Sequence, residues 1–119
     1  MATFSKIPLS GGALGVPVKV AAIASTGTTI HATGTSATTV DEIWLYATTT
    51  TSVTLTIQFG GTTAPDNSIT LTIPALSGLT LVIPGLILTG TGAAASTVYA
   101  FASVTNICTI AGYVNRITA

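Results

Sequence analysis

The chain has 119 residues, the size of one domain. Only 5% of them are charged, against about 25% in a typical globular domain, and Lys6, Lys19, Asp41, Glu42, Asp66 and Arg116 sum to a formal net charge of zero. Three scattered cations cannot neutralise a row of phosphates, which argues against a nucleic-acid partner, and a single cysteine, Cys108, leaves no partner for an internal disulfide.

From the N-terminus, residues 1–16 read as an extended arm. Pro8, Gly11, Gly12 and Gly15 interrupt any regular element there, and about fifteen extended residues would reach roughly 50 Å, onto a neighbouring subunit. The start "MATFSKIPLSGG" has one lysine but no unbroken apolar core after it, so no secretory leader is expected. From residue 17 onward the chain reads as one β-domain. Val18–Ala24 is a first predicted strand and Thr28–Ala32 a second, followed by a loop over Thr33–Thr39. In Val40–Ala47, "VDEIWLYA", Ile43 and Leu45 share one face while Trp44 and Tyr46 share the other. Both faces are bulky, so one is expected on the core and the other under a second layer or another chain.

"SVTLTIQFGGTTAPDNSITLTIP", residues 52–74, carries a hairpin signal. Val53, Leu55, Ile57 and Phe59 alternate with Thr54, Thr56 and Gln58, and Ile69, Leu71 and Ile73 alternate with Thr70 and Thr72. Pro65 suits the second position of a type I turn, and Asp66 or Asn67 can bond back to the backbone. Leu79–Ile83 follows, with "GLIL" after Pro84 as a continuation past a bend or a separate strand. Thr89–Ser96 is a loop, Thr97–Ser103 a strand with Tyr99 and Phe101 on one face, and Asn106–Ile117 the last strand, with Gly112 a candidate bulge. Many short strands, β-branched residues throughout and no helical periodicity predict an all-β fold: a single jelly-roll-like β-sandwich, residues 17–119, preceded by the arm.

The polar positions of these strands are threonines where lysine or glutamate is usual. Threonine fits a pleated face as valine does, its hydroxyl can bond water, backbone or another threonine, and covering it does not require a charge to be paired or desolvated. With a mean hydropathy of +0.76 and little electrostatic repulsion between copies, the surface is expected to meet other protein. A membrane is not the expected home. The longest apolar run, "LTLVIPGLIL", is half a spanning helix and holds Pro84 and Gly85, and the few aromatic residues cannot build the two girdles of a transmembrane barrel.

Chemistry is sparse. His31, the single histidine, lies in "TIHATG"; with Asp41 or Glu42 and a serine it could be written as a nucleophilic triad, but no Gly-x-Ser-x-Gly elbow appears, and a packed or surface histidine is the preferred expectation. His31, Cys108, Asp41, Glu42 and Asp66 are too scattered to be read as a metal site. Cys108 has apolar neighbours and no adjacent cation to activate it. "GGALG" lacks the Lys-Ser/Thr of a phosphate loop. No catalytic, metal or cofactor residues are therefore assigned. Asp41 and Glu42 could bridge Lys6, Lys19 or Arg116, in this chain or another.

Taken together, "FSKIPLSG" at residues 4–11, "DEIWLYA" at 41–47, "GGTTAPD" at 60–66, "VIPGL" at 82–86 and the ending "GYVNRIT" at 112–118 resemble small virion proteins of tailed bacteriophages, of the kind that decorate or cement the capsid. The resemblance implies a non-enzymatic structural protein without a cofactor, made in the host cytoplasm and resident in the virion. Its implied partners are the major capsid protein or other virion proteins and copies of itself, as a homotrimer bridging neighbouring capsid subunits. The candidate assembly contacts are Phe4, Ile7, Trp44, Tyr46, Asp41, Glu42 and Arg116. Other expectations are a connector or tail protein of the same particle, which would form a ring, and a fibre or carbohydrate-binding sandwich with Trp44, Tyr46, Tyr99 or Tyr113 as platform.

Overall fold

The computed structural model describes residues 2–118. They form nine strands and no helix: β1 (Thr3–Pro8), β2 (Val18–Lys19), β3 (Thr28–Ala32), β4 (Thr39–Thr49), β5 (Val53–Phe59), β6 (Ser68–Ile73), β7 (Thr80–Thr89), β8 (Thr97–Ala102) and β9 (Cys108–Thr118). Two antiparallel sheets pack face to face. The larger has the order β1-β9-β4-β7, with β2 also paired to β9; the smaller has the order β3-β8-β5-β6. The pairings are nested in sequence: β5 with β6, then β4 with β7, β3 with β8, and β1 and β2 with β9. The chain is thus one long hairpin, its apex between β5 and β6, rolled into two layers.

Alternation of apolar and polar residues decides which side of each strand is covered. In β4, Ile43, Leu45 and Ala47 point inward; in β5, Val53, Leu55 and Ile57 do. Ile73 of β6, Val98 and Ala100 of β8, and Ile110 and Val114 of β9 complete the core between the sheets. Outward from the smaller sheet face the threonines. Thr54 lies opposite Thr72, and Thr56 opposite Thr70, with the Thr56 and Thr70 hydroxyls 3.3 Å apart. Gln58, on the same side, is buried under the preceding loop: it accepts from Gly27 N–H at 2.9 Å and donates to Ser25 Oγ at 2.9 Å.

Several expectations change. Residues 3–8 are a strand, paired with β9 of the same chain from Thr3 opposite Thr118 to Pro8 opposite Tyr113. The breakers Pro8, Gly11 and Gly12 fall at its end instead of within it. Val18–Ala24 is a strand only at Val18–Lys19. Beyond them the chain leaves β9, with Val20 N–H donating to Cys108 C=O and Ala102 N–H to Ala22 C=O, and crosses to the smaller sheet. Pro65 begins a turn, with Ser68 N–H donating to its carbonyl at 3.1 Å, instead of occupying the second position. Asn67 does bond back, accepting from Thr63 N–H at 3.2 Å and donating to Phe59 C=O at 3.3 Å. "GLIL" continues the strand that begins at Thr80. Gly112 is no bulge: it sits in continuous register opposite Leu45, where a Cβ would lie 2.0 Å from the Trp44 carbonyl oxygen. Close backbone approach requires glycine there.

Candidate functional site

Two groups of residues stand out, one inside the sandwich and one on its outer face. The inner group begins with a β-bulge. The β3–β8 register shifts between Thr29 and His31, so that Ile30 and His31, adjacent in sequence, are both fully buried. His31 Nε2 lies 2.8 Å from Asp41 Oδ2. Arg116, from β9, grips the same carboxylate with two bonds, Nε to Oδ1 at 2.7 Å and Nη2 to Oδ2 at 2.8 Å. The second imidazole nitrogen, Nδ1, accepts from the backbone N–H of Ser10 at 3.1 Å. A backbone N–H can only donate, so Nδ1 is unprotonated here and Nε2–H donates to Asp41.

The cluster joins β3 of the smaller sheet to β4 and β9 of the larger. Burial disfavours the Asp41 charge, but the hydrogen bonds from Arg116 and His31 outweigh it and hold the carboxyl below its ordinary range. The same carboxylate pushes the Arg116 guanidinium up. Among the described residues, every buried side-chain nitrogen and oxygen has a partner. Ser10 turns its hydroxyl to Ala32 N–H, at 2.7 Å, and meets the imidazole only with its backbone, so these residues do not form the nucleophile–base contact of a triad. Burial raises the Cys108 thiol. No group of three or more metal-ligating side chains occurs among the described residues.

The outer group covers the exposed side of the larger sheet. Across it, Lys6, Asn115, Glu42 and Ile87 stand in one row, and Tyr113 and Trp44 in the next. Trp44 and Tyr113 stack with centroids 6.2 Å apart and planes 15° from parallel. The Lys6 ammonium sits 4.8 Å from the Tyr113 ring centroid. Glu42 Oε1 accepts from Trp44 Nε1–H at 2.7 Å and from Asn115 Nδ2–H at 3.0 Å; these two bonds lower its pKa. Gly85, the extra residue of a bulge opposite Ile43 and Trp44, lies under the indole: a Cβ on it would be 2.8 Å from Trp44 Cζ2. Phe4 (75% exposed), Ile87 (63%) and Leu81 (46%) surround this half-buried aromatic row.

Of the predicted contact residues, Phe4, Trp44, Tyr46 and Glu42 share this outer face. Asp41 and Ile7 do not. Asp41 has no exposed surface and spends its charge inside the chain, and Ile7 packs toward the core opposite Val114. Arg116 is half-buried and bonded to Asp41, so the bridge expected between acidic and basic residues is intramolecular. Trp44 lies between Tyr113 and Gly85, so part of its ring is covered within the chain. The sequence alone singles out Tyr113 only as a sugar platform, and Asn115 and Ile117 not at all, although alternation within "GYVNRIT" sets all three on one face. No pattern in the sequence marks Ser10 as the partner of His31.

The chain matches no family model, no curated protein and no solved structure.

Proposed function

We propose that this chain is a structural protein of a tailed-bacteriophage virion that decorates or cements the capsid, bridging neighbouring capsid subunits as a homotrimer. The nested strand pairing supports a jelly roll, since that architecture is a long hairpin rolled into two sheets. The observation that carries the function is the outer face of the larger sheet, where Phe4, Leu81 and Ile87 are exposed beside the stacked Trp44–Tyr113 pair, whose indole N–H is already bonded to Glu42. Its two charged groups, Lys6 and Glu42, already contact the aromatic row, so covering the face brings few unpartnered polar groups with it. Four of the six charged side chains, Lys6, Asp41, Glu42 and Arg116, are engaged within the chain, which leaves less repulsion between copies than the composition alone implies.

The likeness of several short segments to small virion proteins supports the same reading. The partners are then the major capsid protein and further copies of the chain, met in the host cytoplasm and retained in the virion, and each weak contact is multiplied over the shell. β1, at the edge of the larger sheet, has one side of its backbone open, and strand addition by a neighbouring subunit would take place there. Mass measurement in solution, together with imaging of a particle carrying the protein, tests the proposal. A trimer, and density across capsid-subunit junctions, is expected. A larger ring would favour a connector or tail position, and a monomer at high concentration with no affinity for the particle would overturn it.

A further inference from the structure

His31 connects the two sheets to the N-terminal segment, and the connection has a chemical asymmetry. On the Asp41 side the imidazole meets an acceptor that suits it neutral or charged. On the other side, Nδ1 must be an acceptor, because Ser10 offers it an N–H at 3.1 Å. A proton on Nδ1 would set two donors against each other, and the imidazolium would still be held by Asp41. Protonation and the docking of Ser10 are therefore mutually exclusive.

Ser10 belongs to a short anchoring run. Leu9 is buried, Ser10 bonds His31 and Ala32, and Gly11 N–H donates to Ile30 C=O at 2.9 Å. Residues 11–17 beyond it are exposed. On the other side of the anchor, β1 is held mainly by its ladder with β9; Ile7 alone among its side chains is packed against the core. An isolated edge strand of this length is marginal without such an anchor. The groups that face the imidazole are Asp41 from β4, with Arg116 from β9 on the same carboxylate, Ser10 from the linker, and the apolar Val98 opposite it on β8. Among these, only the imidazole has a nitrogen that can change from acceptor to donor by taking up a proton.

We propose that His31 is a proton-sensitive latch: uptake of a proton at Nδ1 ejects Ser10 and frees β1 from the edge of β9. The test is made on the full chain by NMR, between about pH 7.5 and about pH 5. Imidazole nitrogen shifts report the Nδ1 proton directly, and amide exchange, corrected for its intrinsic pH dependence, reports the strands. The expected result is that Ser10 and the β1–β9 ladder lose at least ~10-fold in protection as Nδ1 titrates, while β4 and β5 amides keep theirs. In His31→Gln the protection of β1 should no longer change with pH over this range. Protonation of Nδ1 with β1 protection unchanged would overturn the proposal. So would a uniform loss across both sheets, or an Nδ1 that takes up no proton before the fold is lost. If His31→Gln does not fold, the comparison of β1 with β4 in the unaltered protein still decides.

Discussion

At the scale of single residues, Asp41 carries more of the fold than any other polar group. It is the one acceptor shared by His31 and Arg116, and removing it leaves two donors facing apolar surroundings. Asp41→Asn keeps the shape and loses the charge; the expected cost is about 3 kcal/mol in denaturant unfolding, at the low end for a broken buried pair because Arg116 retains access to water. The pH dependence follows from the sign of the shift. The folded pKa lies below the ordinary 3.8, so the contribution is fully present above that value and is lost as pH falls through the lower folded one. Acid unfolding of the native chain should therefore contain a component, below about pH 4, that Asp41→Asn lacks. Gly85 tests backbone freedom instead. It adopts φ +82° beneath the indole, so Gly85→Ala combines left-handed strain with a clash against Trp44. A loss of about 1–3 kcal/mol is expected, with a change in the near-ultraviolet signal of the stacked Trp44–Tyr113 pair.

At the scale of elements, the strands with an unbroken period of two were legible from the residues: β5, β6, β8 and the middle of β4 all show which side is covered. Three features were not legible, each for a physical reason. The bulge at Ile30 breaks alternation, so nothing in "TTIHA" indicates that His31 faces Asp41. Val20–Ala24 has the composition of a strand, but its hydrogen bonds go to two different sheets. Residues 3–8 look like an arm because their side chains are mostly exposed, whereas their strand identity lies in backbone bonds that composition does not record. The two outer faces can be distinguished by one added charge on each. Ile87→Lys on the larger sheet and Thr72→Lys on the smaller both replace exposed residues, so each should alter monomer stability by less than about 0.5 kcal/mol. Only Ile87→Lys should weaken self-association, by at least ~10-fold in sedimentation or light scattering, as expected for a charge set into an apolar contact. Equal weakening by both would move the contact away from the aromatic face.

For the whole molecule, the placement of charge matters more than its sum. A protein can be neutral because many charges of both signs cancel at its surface, and such a molecule associates through screened ion pairs. Here Asp41 and Arg116 neutralise each other inside, and Lys6 and Glu42 are tied to the aromatic row, leaving Lys19 and Asp66 without a side-chain partner among the described residues. Contacts between copies, or with a capsid lattice, should then rest on apolar area and backbone bonds, neither of which ionic strength screens. At about 0.1 M salt the screening length is already near 10 Å, so further salt removes only long-range attraction. Raising salt from about 0.1 M to about 0.5 M should leave the association constant within ~3-fold, whereas an interface built on ion pairs would weaken steeply. Apolar burial strengthens in the presence of excluded salts, so sulfate at equal ionic strength should tighten association relative to chloride. Dissociation by moderate chloride would show that the few remaining charges, not the uncharged faces, hold the copies together.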